Sequence, residues 1–371
     1  MNQFPILPTA PFTPLEQVIA QAITQAGGWL GFDDFMALAL YAPGLGYYTN
    51  DLRKVGLMPG GEPGQSSDFV TAPELSPHFG RTLARQVRQA LGATGTTDVW
   101  EFGAGSGALA DHLLQALGSS VTRYTIVDVS GSLVARQRER LAAYGGKVQW
   151  ATALPTSMRG VVVGNEVLDA MPVKLLARVN RVWHERGVAL HEGSFSWADQ
   201  PTALRPPVEV PGPQDYLTEI HPQGEGFIRT LADRLERGAA FLLDYGFGES
   251  EYYHPQRHMG TVMCHQGHLS DSDPLVEVGR KDITAHVNFT AMALAAQDAG
   301  LQVLGYTTQA HFLINCGLAQ RMVELPPLER ATAAKLIMEH EMGELFKVLA
   351  LGAGEPWEPV GFAQGDRSHR L

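Results

Sequence analysis

Asp98-Val-Trp-Glu-Phe-Gly-Ala-Gly-Ser-Gly-Ala108 reads as a short buried strand that runs directly into a glycine turn and then a helix over 108–117. Gly103, Gly105 and Gly107 remove side chains where backbone N–H groups and a helix N-terminus can face a ligand. Tyr124-Thr-Ile-Val127 is a second strand, and it ends at Asp128, 21 residues beyond Gly107. A carboxylate at that place can accept the hydroxyls of a cofactor ribose. The spacing is ambiguous taken alone. Gly103-x-Gly-x-x-Ala108 fits a dinucleotide fingerprint, whereas Glu101-x-Gly-x-Gly-x-Gly107 fits the S-adenosylmethionine version. Glu101 favours the second, because a zwitterionic methionine end beside a sulfonium tolerates an acid that would repel a pyrophosphate. An NAD-dependent oxidoreductase stays as the lesser alternative.

Outward from this turn, the chain keeps alternating. Further strands are expected at 161–164, 241–245, 301–306 and near 357–364, with helices at 131–143, 226–237 and 289–299. Strands alternating with helices predict an α/β fold, a doubly wound parallel sheet covered on both faces. The preceding residues 1–94 read as a helical cap, with helices at 14–26, 32–41 and 74–92 around a Gly/Pro-rich loop at 43–73. The core, 95–371, then carries insertions at about 172–215, 246–288 and 310–352. The first is an expected hairpin, Val173–Val179 against Val188–Trp197, followed by a linker with five prolines over 201–213. The second reads as a long polar loop, and the third as a helical region, 325–351, before the last strand.

Bulk features narrow the class. The 371 residues carry 28 Lys and Arg against 39 Asp and Glu, a net charge of −11, which disfavours a nucleic-acid partner. Two cysteines exclude a disulfide framework and suit a reducing compartment, so a cytoplasmic location is expected. The start lacks the pattern of a signal peptide, and no run of 18 apolar residues predicts a membrane span.

Gly164-Asn-Glu-Val-Leu-Asp-Ala-Met-Pro172 follows a core strand whose carboxyl end should face the reacting end of the cofactor. Asn165, Glu166 and Asp169 are therefore the candidate catalytic residues, with Asn165 also a cofactor contact. Two acids beside a methyl donor suit a cationic acceptor, and arginine is the demanding case because its guanidinium stays protonated. The plainer alternative has Asp169 capping a helix and Glu166 in solvent. In Ser67-Asp-Phe-Val-Thr-Ala-Pro-Glu74, Thr71 and Glu74 could form a capping box, or Thr71, Pro73 and Glu74 could cover the cofactor's methionine end. Asp244 and Tyr245 end a strand; with Tyr252, Arg257, His268 and His286 they are candidates for the acceptor cleft. Asn288 is the expected N-cap of the helix at 289. His254, His258, Cys264, His265 and His268 crowd one loop, but their spacing matches no four-ligand zinc set, so no metal is expected.

Together these pieces resemble the MidA-like family of S-adenosylmethionine-dependent methyltransferases. The likeness runs from Gly46-Tyr-Tyr48 and Arg53-Lys-Val-Gly56 through Asp68–Glu74, Glu101–Gly107 and Asn165–Pro172. It continues in Leu243-Asp-Tyr-Gly-Phe247, Gly260-Thr261, Asp282–Phe289 and Thr308–Leu313. The resemblance implies a class I (Rossmann-like) methyltransferase core, with helical and hairpin additions that build a substrate cleft including Tyr48. It implies S-adenosylmethionine contacts from the Asp68–Glu74 and glycine loops and from Asp128, and a catalytic edge at Asn165–Asp169. Mitochondrial members of the family are protein arginine methyltransferases and assembly factors for respiratory complex I, which points to a protein partner. A cofactor-binding assembly chaperone is the alternative function, and the inserted elements offer surface for a second copy of the chain. Ser67 and Ala72 stand where the family usually has Gly and Ser.

Overall fold

The computed structural model describes residues 12–50 and 70–371. The expected motifs at 53–56 and Asp68, and most of the Gly/Pro-rich segment, lie outside them. Eight strands form the central sheet; the shortest, Val287–Asn288, pairs only with Gly246 and Phe247, and seven others run in one continuous order. In chain order they are β1 (Asp98–Phe102), β2 (Arg123–Val127), β3 (Val148–Ala151), β4 (Met158–Asn165), β5 (Leu235–Phe247), β6 (Gln302–Thr308) and β7 (Phe346–Ala353). Their order across the sheet is β3-β2-β1-β4-β5-β7-β6, with β7 antiparallel to both neighbours. The remaining pairs along β3 to β5 are parallel.

Both faces of the sheet are covered, so its middle strands are apolar throughout. Val161, Val162 and Val163 are all fully buried. Helices Pro77–Thr94 and Ala108–Leu117 pack on one face. Helices Pro222–Arg234 and Phe289–Asp298 pack on the other. Asn288 caps the last of these, its Oδ1 accepting from the Ala291 N–H at 3.2 Å.

A second lobe is built from the N-terminal part of the expected cap and from the first two insertions. Helix Pro14–Gln25 starts on a reciprocal Thr13–Glu16 capping box and buries Leu15, Ile19 and Ile23. With helix Phe32–Tyr41 it packs on Val173, Leu175 and Val188 of the inserted sheet. Lys174 ties the two together, reaching Asp33 at 3.1 Å and Glu185 at 2.8 Å. Residues 77–94, by contrast, pack with the central sheet.

Several elements differ from expectation. The hairpin is Lys174–Val179 against Val182–His191, closed by Asn180 and Arg181 at φ of 50° and 68°, a two-residue turn achieved without glycine. Glu192 and Gly193 then turn the chain again into Ser194–Pro201. Residues 246–288 are not one loop: Met263–Gln266, Leu269–Asp271 and Asp282–Thr284 form a small sheet. The final strand is Phe346–Ala353 rather than 357–364, where Pro359 leads only a single turn, Val360–Phe362. Its run of Leu, Ala and Lys has helical propensity, and a short apolar run does not tell a buried strand from a helix. β3 escapes notice because it is a four-residue edge strand. The expected helix at 74–92 breaks at Ser76-Pro77 into Ala72–Leu75 and Pro77–Thr94.

Candidate active site

A cavity of about 980 Å³ opens between the carboxyl ends of β1, β2, β4 and β5 and the second lobe. Its wall contains Thr71, Pro73, Glu74, Glu101, Gly103, Gly105, Asp128, Asn165, Glu166, Asp169, Tyr48, Tyr245, Arg257 and His286. The structure thus brings most of the expected site residues together. It sets four aside: Gly107, Asp244, Tyr252 and His268. Gly107, at φ 82°, begins the helix and lies against Gln137, so its missing side chain serves helix packing. Asp244 and Tyr252 are buried behind the wall (1% exposed each).

The cofactor end is fixed by a few buried bonds. Gly103 and Gly105 sit at φ of 59° and 53°, and a Cβ on Gly103 would meet Val167 at 3.3 Å. Glu101 lies beneath the turn, and the Tyr124 hydroxyl donates to it at 2.6 Å. Burial pushes its carboxyl up to about 8. Asp128 is oriented from both sides: Ser130 N–H donates to Oδ1 at 2.9 Å and Gln137 Nε2 to Oδ2 at 2.8 Å. The same Gln137 amide reaches the Gly105 carbonyl at 2.9 Å, which links Asp128 to the glycine turn. A third bond comes from the Val129 N–H, so of the roughly four acceptor directions of a carboxylate one stays unfilled.

Thr71 makes no side-chain cap bond. Glu74 instead accepts from Arg140 at 3.3 Å and from the Ser106 hydroxyl. The capping-box reading therefore fails, since Glu74 bridges the 70–75 segment to the glycine turn.

The acidic loop after β4 is the second half of the site. Asp169 does not cap a helix; it lies in a turn held from below by Asp244. Asp244 Oδ2 accepts from the N–H groups of Val167, Leu168 and Asp169 at 3.1, 2.9 and 3.2 Å, and Oδ1 from that of Tyr245 at 3.0 Å. Burial, then the like charges of Asp169 and Glu166, press the Asp244 carboxyl upward, and its N–H donors oppose this. Glu166 adopts φ 54°, an uncommon conformation for a residue with a side chain, with its N–H on the Leu243 carbonyl at 2.9 Å. Asn165 Nδ2 donates to Glu166 Oε1 at 2.9 Å. Burial first, and then Asp169, raise Glu166 to about 8. Asp169 is raised to about 6 by burial, against a 2.6 Å bond from Tyr245.

The acceptor side includes residues that sequence reasoning did not single out. Asp282, 2% exposed, lines the cavity, and the Tyr48 hydroxyl lies 2.9 Å from each of its oxygens. Tyr41 lines the same wall and donates to the Ala170 carbonyl at 2.8 Å. Asp282 opens a motif whose alternation of polar and apolar residues could have marked it. His286 is pushed down to about 4 by burial, so its ring is neutral near pH 7. His265 lines the cavity, whereas His268 does not. Tyr252 donates to Glu219 at 2.9 Å, and Glu219 holds the N–H groups of Thr261 and Val262 at 2.6 and 3.1 Å. It thereby supports the 259–263 wall from behind. Among the described residues, no group of three His, Cys, Asp or Glu is placed to hold a metal ion. No described helix is long and apolar enough to cross a membrane.

The residues present fit S-adenosylmethionine. The buried oxygens Asn165 Oδ1 and Asp169 Oδ1 have no hydrogen-bond partner, and both residues line the cavity. The glycine turn leaves space for close approach, and Asp128 stands at the end of β2. Comparison with known proteins agrees: the model of a family of S-adenosyl-L-methionine-dependent methyltransferases matches residues 82–307. The chain belongs to this family. That membership resolves the ambiguous glycine spacing against a dinucleotide. A crystal structure of a protein from Burkholderia thailandensis bound to S-adenosyl-homocysteine is similar over 98% of this chain and all of that one, at 47% identity and a TM-score of 0.91. The mitochondrial protein arginine methyltransferase NDUFAF7 of Danio rerio is 26% identical over 357 residues, covering 85% of this chain and 80% of its own. The Drosophila melanogaster homologue is 28% identical over 390 residues, covering 89% and 84%.

Proposed function

We propose that this methyltransferase modifies a guanidinium nitrogen of an arginine in a partner protein. The observation that carries this reading is the convergence of Glu166, Asp169 and Asp282 on the cavity beside the glycine turn. The names of the relatives support it, since they describe arginine methyltransferases. When bound, S-adenosylmethionine supplies an electrophilic methyl group on a sulfonium. Asp128 would hold its ribose, the Gly103–Gly105 backbone would border its methionine portion, and Glu101 would face its ammonium.

The guanidinium is a permanent cation with a planar fork of donors. Glu166 and Asp169 present carboxyl oxygens to it, and Tyr245 keeps Asp169 in one orientation. Both acids are raised in the free protein, so an entering cation favours their ionised forms and expels protons. The attacking nitrogen must lose one proton as it gains a methyl group. Glu166, raised to about 8, is the stronger base of the two and takes that proton. Tyr41, Tyr48 and Tyr245 supply an aromatic wall along which the acceptor's apolar stem can lie.

Methyl transfer to arginine-containing peptides, followed by mass spectrometry of the product, tests the reading. Modified arginine supports it, and methyl groups found only on other side chains overturn it.

A further inference from the structure

A second cavity, of about 750 Å³, lies on the far part of the inserted sheet and shares no residue with the first. Its wall includes Arg178, Arg181, Trp183, Arg205 and the proline-rich segment that sequence alone marks as a linker. Arg178 is 7% exposed. Strand register places it directly between Trp183 and Tyr216, and its guanidinium carbon lies 5.4 and 5.7 Å from those rings. It donates to the Val210 carbonyl at 2.6 Å and to the Gln214 carbonyl at 3.0 and 3.3 Å. These bonds pin the proline-rich segment and account for three of the five guanidinium donors, leaving one N–H on each terminal nitrogen.

Among the described residues, no ion pair reaches Arg178, Arg181 or Arg205, in a chain whose net charge is −11. A buried charge is ordinarily paired with an opposite one, because desolvation without compensation is expensive. Backbone carbonyls and ring faces compensate Arg178 only in part. Arg181 is fixed at the hairpin turn and Arg205 in the facing segment, where its Nη1 donates to the carbonyls of Thr202 and Leu204 at 2.9 and 2.6 Å. The one acid in the wall is the exposed Glu209.

We propose that this pocket binds a small ligand through a phosphate or carboxylate group, at a site separate from methyl transfer. Three cations converge on a concave, aromatic-sided space of ligand size, and one of them is already desolvated and oriented. Planar guanidinium forks suit the oxygens of either group.

Calorimetric titration of the full-length protein with inorganic pyrophosphate and with citrate, at constant ionic strength, tests the proposal. Saturable binding of either anion is expected. The Arg181→Ala/Arg205→Ala variant should bind about tenfold more weakly or worse, the worth of a charge-assisted contact. Arg178→Lys keeps the charge but loses the fork, and should also weaken binding. S-adenosylhomocysteine affinity should be unchanged in the double variant, which separates this site from the cavity that methyl transfer would use. Absence of binding, equal affinity in the double variant, or a response reproduced by sodium chloride overturns the proposal. Binding of an oligoglutamate peptide but neither small anion also overturns it, and assigns the pocket to an acidic protein segment.

Discussion

The Tyr245 hydroxyl stands 2.6 Å from Asp169 Oδ2, while Oδ1 of the same buried carboxylate has no partner. One oxygen is thus fixed and the other is left unpaired in a residue that lines the cavity. Tyr245→Phe removes the fixing bond, which also lowers the Asp169 pKa, so the carboxyl should rise above its present value of about 6. We expect kcat/KM to fall about tenfold near pH 7 and to recover partly at higher pH, as read from the pH profile of methyl transfer.

Glu166 couples activity to pH. Its carboxyl is held near 8, and under the proposed function only the ionised form would hold a guanidinium and take a proton. The rate should therefore rise with pH and level off above about 8, and Glu166→Gln should abolish that limb together with most activity.

The same residue links pH to stability with a definite sign. The folded-state pKa of Glu166 is raised from 4.5 to about 8, so its contribution is fully present below 4.5 and is lost as pH rises through 8. Glu166→Gln is free of that loss. Thermal unfolding without cofactor should show a Tm advantage for the variant that grows between pH 5 and pH 9.

Asp128 is expected to carry the ribose. Asp128→Ala should raise the Kd for S-adenosylhomocysteine by about tenfold to a hundredfold, the worth of one or two hydrogen bonds to a charged group. Gln137→Ala leaves the carboxylate but frees it to turn, and should give a smaller loss in the same titration.

Gly105 tests the turn itself. At φ 53° a β-branched side chain is strained by about 1–2 kcal/mol. Gly105→Val should lose cofactor binding while far-UV circular dichroism stays unchanged.

The glycine turn, Asp128 and the acidic loop were legible because local spacing and strand–turn–helix order specify them directly. The β4 and β5 positions followed from apolar runs such as Val161–Val163. What escaped depends on contacts distant in sequence. Thr71 and Glu74 have the spacing of a capping box, but Arg140, 66 residues away, draws Glu74 to the cavity instead. Asp244 looked equally suited to touch a ligand, and only the fold shows that the turn 167–169 occupies it. Asp282 became part of the site through Tyr48, 234 residues earlier, a pairing that no local pattern encodes. Arg178 likewise gained its meaning from strand register and from a proline-rich segment that looked like a spacer.

The central claim is that carboxylates at this cavity select a guanidinium. Its most direct measurement is transfer of labelled methyl groups to matched peptides with arginine or lysine at one position, by the natural protein and by Glu166→Gln and Asp169→Asn. Label is expected on arginine nitrogen alone, reduced at least a hundredfold, or about 2.7 kcal/mol, in both variants. Label on lysine in preference to arginine, or transfer to arginine unchanged by the two substitutions, would contradict it.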